Sequence, residues 1–218
     1  MYRFGVDEAG KGPVLGSMFA ACVVADPRDL PDGLRDSKKL SPDRREELDA
    51  ALRARDGVRI GVAEIPVDRI DDPATDMNTL TVNAHAAAID AANAADAASA
   101  DGRGIVDAGD TSEERFAARV RETADDEVSV DAEHGADDAY ALVAAASVVA
   151  KVARDAHVET LADEYGDVGS GYPSDPRTRE FLAEYVREQG DLPACARSSW
   201  STCEDVLAAA EQSALAEF

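Results

Sequence analysis

The sequence predicts an α/β fold, a mixed central sheet flanked by helices, with a small helical region at the C-terminal end. Three features point there. Phe4 to Val6 and Val14 to Ala25 are apolar and β-branched, and they read as an early strand hairpin. Further short strands then alternate with stretches of helical period. The chain closes on helices alone, with neither an internal repeat nor an evident linker. Gly and Pro cluster between Gly166 and Pro176, so a soft boundary is expected there, separating residues 1–175 from 176–218.

Taken in order, the first strand ends in acids and a Gly-rich turn, Gly10-Lys11-Gly12, before the second strand begins. Ser41-Pro42 is a helix start, a capping hydroxyl followed by proline at the first helical position, and the helix should run to about Arg55. Val58 to Pro66 alternates as a strand does. Met77 to about Ala100 is Ala-rich and helical, stopped by Asp101-Gly102. Gly104 to Val106 is a strand that stops at Asp107, Ser112 opens a short helix, and Val128 to Val130 is a further strand. Tyr140 to about Tyr165 reads as a long helix closed by Gly166, and Thr178 to Glu188 as one closed by Gly190. Ser201 with Glu204 forms a capping box for the last helix.

Composition narrows the setting. The 218 residues carry 45 Asp and Glu against 22 Lys and Arg, a formal net charge of −23. Apolar periodicity persists throughout, so the excess acid is read as the surface of a folded protein in very salty solvent, not as disorder. At about 1 M salt the Debye length is roughly 3 Å, and neighbouring carboxylates barely repel. The start, Met1-Tyr2-Arg3-Phe4, has no signal-peptide pattern. No stretch approaches the roughly 18 apolar residues of a membrane span. A cytoplasmic protein, most simply a monomer, is expected. Cys22, Cys195 and Cys203 form no CxxC pair, and His85, His134 and His157 are scattered, which argues against a zinc or disulfide scaffold.

The few lysines are informative. Only Lys11, Lys38, Lys39 and Lys151 occur, each in a segment that stands out for other reasons. A background that has shed ammonium groups retains them there, and phosphate binding is the sharper explanation.

Four acids fall where strands or loops end: Asp7 and Glu8 after the first strand, Asp107 after the Gly104 strand, and Asp137 before the long helix. Carboxylate oxygens suit a hard cation such as Mg²⁺ or Mn²⁺. Adjacent Asp and Glu on a strand point to opposite faces, so both serve one site only if the backbone turns, and Gly10 and Gly12 offer such a turn. The turn is not a Walker A loop, since the GxxxxGK[ST] spacing is missing, and Pro13 argues against a dinucleotide fingerprint. Its amides could still grip a phosphate or hydroxyl.

Asp7-Glu8-Ala9-Gly10-Lys11-Gly12-Pro13-Val14-Leu15-Gly16 closely resembles the N-terminal motif of ribonuclease HII, the type 2 ribonuclease H family. Asp36-Ser37-Lys38-Lys39-Leu40-Ser41 is similar to its DSKKLS segment, Val106-Asp107-Ala108 to the site of its third carboxylate, and Ala136-Asp137-Asp138-Ala139-Tyr140 to its fourth-carboxylate loop. The helix through Ser147, Lys151 and Arg154, the Gly169-to-Asp175 segment GSGYPSD, and Arg197-Ser198-Ser199-Trp200-Ser201-Thr202, like the archaeal RxSWxT ending, follow in family order. Together these span about residues 4–203.

The resemblance implies a ribonuclease H-like fold and an endonuclease acting on RNA–DNA hybrids and on duplex DNA containing ribonucleotides. Asp7, Glu8, Asp107 and Asp137 would be its metal carboxylates, with Mg²⁺ or Mn²⁺. Gly10, Lys11 and Gly12 would contact the ribose 2′-hydroxyl and nearby phosphate, and Tyr172 the following deoxyribose. Lys38, Lys39, Lys151 and Arg197 would bind duplex phosphates. Lys11 stands where an arginine is common, which keeps a point charge and loses a bidentate fork. The last residues, Gln212-Ser213-Ala214-Leu215-Ala216-Glu217-Phe218, resemble a short sliding-clamp motif. Helical spacing puts Leu215 and Phe218 on one face, suited to an apolar pocket on a clamp or to packing on the chain's own helices. In high salt counterion release gains less, so substrate binding is expected to rest on shape, hydroxyl contacts and metal bridging more than on charge.

Overall fold

The computed structural model describes residues 2–34, 40–95 and 103–216, with side chains through 212. Five strands form one mixed sheet: β1 (Tyr2–Ala9), β2 (Met18–Val24), β3 (Arg59–Ile65), β4 (Arg103–Asp107) and β5 (Val130–Glu133), in the order β3-β2-β1-β4-β5. The first three pair antiparallel, and β4 and β5 join parallel to β1 and to each other. A 3₁₀ turn at Pro27–Asp29 and eight α-helices complete the described chain: α1 (Pro42–Arg53), α2 (Val67–Ile70), α3 (Met77–Ala91), α4 (Glu113–Thr123), α5 (Ala136–Ala139), α6 (Ala141–Tyr165), α7 (Pro176–Gln189) and α8 (Ser201–Ala216).

Local chemistry sets most boundaries. Ser41 accepts from the Arg44 N–H to cap α1, with Pro42 at its first position, and Ser112 caps α4 through the Arg115 N–H. Gly190, left-handed at φ 77°, ends α7. Differences from the sequence reading are also local. The second strand starts at Met18, because Val14 and Leu15 instead bond through their N–H groups to the Gly171 carbonyl. The fifth strand begins at Val130, later than expected. Helix α3 ends at Ala91, short of the expected Ala100; residues 96–102 lie outside the described residues. Ser201 is the first residue of α8 and not its cap, since the Trp200 carbonyl accepts from the Cys203 and Glu204 N–H groups. The short α2 and α5 have no periodicity that a sequence pattern could detect.

Chain contacts divide into two compact units. The first comprises residues 1–11, 18–65 and 76–155 and contains the whole sheet. One sheet face, carrying Ala21 and Val23, packs on Leu48 and Leu52 of α1 and on Leu142 to Ala150 of α6. The other face packs on α3, with α4 beside it. Two glycines set how near these helices come. A Cβ on Gly5 would stand 2.4 Å from the Leu142 carbonyl carbon of α6, and one on Gly61 would stand 2.2 Å from the Ala88 carbonyl oxygen of α3. Gly61 pairs with Cys22, which pairs with Val6, so this row faces α3 while Gly5, one residue out of phase, faces α6.

The second unit comprises residues 12–17, 66–75 and 156–218. The boundary expected near 175/176 falls inside it. Its core is Val14, Leu15, Leu161, Val168, Phe181, Leu182 and Cys203. Asp71 accepts from both the N–H and the hydroxyl of Ser198 and of Ser199, at 2.5–3.1 Å, and this fixes the start of α8. The hydrogen bonds hold the Asp71 carboxyl below its usual range despite the opposing effect of burial.

Gly61→Ala and Gly5→Ala are each expected to destabilise the protein by about 2–3 kcal/mol or more, because backbone must move to admit the methyl. Denaturant unfolding in molar KCl measures this, and an unchanged midpoint would contradict the close packing.

Candidate active site

Strand β1 outruns its parallel neighbour. Pairing with β4 ends at Val6 opposite Val106, whereas pairing with β2 continues through Asp7, Glu8 and Ala9. Asp7 and Glu8 therefore lie on regular strand, on opposite faces, just past the point where β4 ends in Asp107. The turn expected between the strand and the glycines does not separate the two acids; it comes after Ala9, with Gly10 at φ 90°, a conformation that favours glycine.

Each acid is gripped by the helix on its own face. Asp7, 6% exposed, shares a face with Gly5 and is hydrogen-bonded by Ser147 of α6, with Lys151 one turn further contributing its positive charge. Lys151 Nζ itself donates to Ser147 Oγ, so the chain is Lys151, Ser147, Asp7. Asp7 Oδ1 also accepts from the Glu8 N–H at 2.8 Å. Glu8 shares a face with Val6, and its Oε2 lies 2.8 Å from Nε2 of His85, a fully buried residue of α3. Asp107 Oδ1 accepts from the Ala136 N–H at 2.8 Å. That bond ties the end of β4 to the first turn of α5, where Asp137 is 4% exposed. Gly135, at φ 66°, makes the bend that carries the chain from β5 into this turn.

The acids are electrostatically one group. Burial raises the Asp7 carboxyl well above the usual carboxylate range, and the charges of Glu8 and Asp107 add to the rise against Ser147 and Lys151. Asp107 is also raised, by burial and by Glu8 and Asp137. At Glu8 burial acts upward too, but the His85 hydrogen bond, together with the Lys11 charge, outweighs it and leaves the carboxyl lowered. Among the described residues no three His, Cys, Asp or Glu side chains already stand at metal-ligating distance. The donor set nevertheless fits a hard divalent ion: all oxygen, buried or half-buried, and mutually repelling in a way that a bound cation would relieve.

The other expected residues divide between the units. Lys11 donates from Nζ to the Gly109 carbonyl at 2.7 Å, bracing the loop after Asp107. Gly12 and Tyr172 belong to the second unit, where a Cβ on Gly12 would lie 3.8 Å from the Tyr172 ring, and Tyr172 is 40% exposed. Lys38 and Lys39 lie outside the described residues. So does the Phe218 end of the clamp-like segment, and the Leu215 side chain with it, while Gln212 is exposed on α8. Arg197 corrects an expectation. It is fully buried, its Nε donates to the Gly16 carbonyl at 2.8 Å, and its guanidinium sits 5.0 Å over the Trp200 ring. A guanidinium with no exposed surface braces the loop before β2 and does not present itself to a phosphate. His85 and Ser147 went unassigned in the sequence. The spacing Thr81, His85, Ala88, Ala92 along α3 places His85 on the buried, sheet-facing stripe, and that was the available signal.

The family model for ribonuclease HII matches residues 4–203. The chain belongs to the ribonuclease HII family. It is 65% identical to ribonuclease HII of Halobacterium salinarum, over the full length of both chains. The ribonuclease H2 crystal structure from Pyrococcus horikoshii OT3 superposes with a TM-score of 0.83 at 36% identity, covering 96% of this chain and 98% of that one. The ribonuclease HII of a PCNA:RNase HII complex from Archaeoglobus fulgidus superposes at 0.78 with 38% identity, covering 93% and 95%. The fold is thus ribonuclease H-like, and the chain is an endoribonuclease of the ribonuclease H type.

Raised in the folded state, Asp7 contributes stability that is present at acidic pH and lost as pH rises through its folded value. With chelator at neutral pH, Asp7→Asn is therefore expected to raise the melting temperature by a few degrees, and to blunt the further rise that Mn²⁺ gives the parent protein. Calorimetry in molar KCl checks both; a lowered melting temperature with chelator would contradict the repulsion.

Proposed function

We propose that the protein is a divalent-metal-dependent endonuclease that cuts the RNA strand of RNA–DNA hybrids and cuts on the 5′ side of ribonucleotides embedded in duplex DNA. The observation that carries this reading is the convergence at the end of β1 of acids from three separate segments, mutually coupled in charge. Asp7, Glu8, Asp107 and Asp137 would hold the ions, Mg²⁺ or Mn²⁺, which when bound would supply an activated water and charge to stabilise the leaving oxygen. The water oxygen bonds to phosphorus, the bond to the 3′ oxygen breaks, and that oxygen takes up a proton, leaving a 3′-hydroxyl and a 5′-phosphate.

The chain's own groups orient the substrate. Backbone amides of the Gly10-Lys11-Gly12 turn meet the 2′-hydroxyl, the one feature that separates RNA from DNA at a given site. Tyr172 packs on the deoxyribose that follows. Lys151, beside Asp7, and Lys38 and Lys39 meet phosphates. Removal of ribonucleotides and of RNA primers from DNA is the role this specificity serves. Catalysis rests in residues 1–175.

Duplexes with zero, one or four ribonucleotides, given to the protein in molar KCl with Mg²⁺ or Mn²⁺, test the assignment. The last two are expected to be cut with 3′-hydroxyl ends and the first left intact, and Asp7→Asn should abolish cutting while retaining the fold. Cutting of the all-DNA duplex, or an active Asp7→Asn, would refute it.

For the helical region 176–218, the Archaeoglobus relative's complex with PCNA supports a clamp-binding role. Gln212, Leu215 and Phe218 form the docking motif. Deleting Leu215 to Phe218 is expected to abolish binding to the sliding clamp in a calorimetric titration; unchanged affinity would discard the role.

A further inference from the structure

His85 is fully buried on α3, between Glu8 and Phe116. Its Nε2 lies 2.8 Å from Glu8 Oε2, and its ring meets Phe116 edge-on at 5.2 Å between centroids. Nδ1 is buried and, among the described residues, has no hydrogen-bond partner. Both nitrogens therefore agree on one tautomer. A proton on Nδ1 would be a buried donor with no acceptor, and a bare Nε2 would face a carboxylate oxygen lone pair to lone pair. The hydrogen thus sits on Nε2 and is donated to Glu8.

A buried ring with an orphaned nitrogen is poorly chosen as packing. Phenylalanine would fill the same space against Phe116 without leaving a polar atom unsatisfied. What only the imidazole supplies is a rigid donor aimed at Glu8 from the α3 side of the sheet. We propose that His85 is a positioning residue of this centre, fixing the Glu8 carboxylate so that it is preset for a divalent cation. The proposal rests on the metal-site reading given above. It makes Glu8 the counterpart of Asp7, which receives its own donor, Ser147, from α6 on the opposite face.

The test is Mn²⁺ binding to the full-length protein in molar KCl by titration calorimetry, with melting temperature recorded in parallel. His85→Phe keeps ring volume and loses the donor. It is expected to weaken Mn²⁺ about 10- to 100-fold, the usual effect of removing a group that orients a metal ligand. His85→Gln retains a donor near Nε2 and is expected to bind Mn²⁺ close to the parent affinity. In a Glu8→Gln background, adding His85→Phe should cause no further loss. Should His85→Phe fail to fold by circular dichroism, His85→Met carries the same comparison. Parent-like Mn²⁺ affinity in His85→Phe, equal weakening in His85→Gln, or an undiminished loss in the Glu8→Gln background would each overturn the proposal. A parent protein whose Mn²⁺ binding is unaffected by Asp7→Asn would instead sink the metal-site reading, and this proposal with it.

Discussion

Holding carboxylates together out of water is the constraint around which the first unit is organised. Buried like charges repel and favour protonation, so a cluster of this kind persists only where directed hydrogen bonds and nearby cations oppose that tendency. The chain meets the requirement from both sides of one strand. Helix α6 reaches Asp7 with Ser147 and Lys151, and helix α3 reaches Glu8 with His85. Neither helix could come so near over ordinary side chains. Gly5 under α6 and Gly61 under α3 remove the obstructing carbons, one on each face. Packing geometry deep in the sheet thus decides where the donors stand at its end.

The placement of the few lysines takes on a physical meaning in this light. In a chain with net charge −23, Lys11 and Lys151 stand within electrostatic reach of the buried acids, and both enter the balance at Glu8 and Asp7. Salt at molar strength screens exposed pairs, yet screens buried ones far less. Ammonium groups beside a buried cluster keep their effect in solvent that would cancel them on the surface. Lys11 and Lys151 thus serve the charges of the acids themselves. Lys11 shows this plainly, since its nitrogen is engaged by the Gly109 carbonyl.

Much of this arrangement was legible beforehand. Strand and helix order followed from apolar periodicity, and Ser41, Ser112 and Gly190 marked ends through local chemistry that acts the same way in any fold. The four acids stood out because each was read at the end of a strand or ahead of a helix; in the fold Asp107 ends β4, whereas Asp7 and Glu8 lie within β1 and Asp137 lies in the first turn of α5. What was not legible depended on contacts across the chain. His85 looked scattered because its partner, Glu8, lies 77 positions away. Arg197 looked like a phosphate contact because exposure cannot be read from residue type. A turn seemed necessary between Asp7 and the glycines because opposite faces were taken to mean separate sites; the early end of β4 removes that need. The boundary expected between Gly166 and Pro176 differs from the division at 155/156, which falls within the unbroken helix α6 and so leaves no Gly or Pro signal.

The bond from the Ala136 N–H to Asp107 gives one carboxylate two duties. It is an acid of the cluster, and it also anchors the turn that presents Asp137. Removing it would unmoor its neighbour, so the deficit measured for an Asp107 substitution would include part of Asp137's contribution. The two positions form a single mechanical joint, and their substitutions should combine to less than the sum of their separate losses.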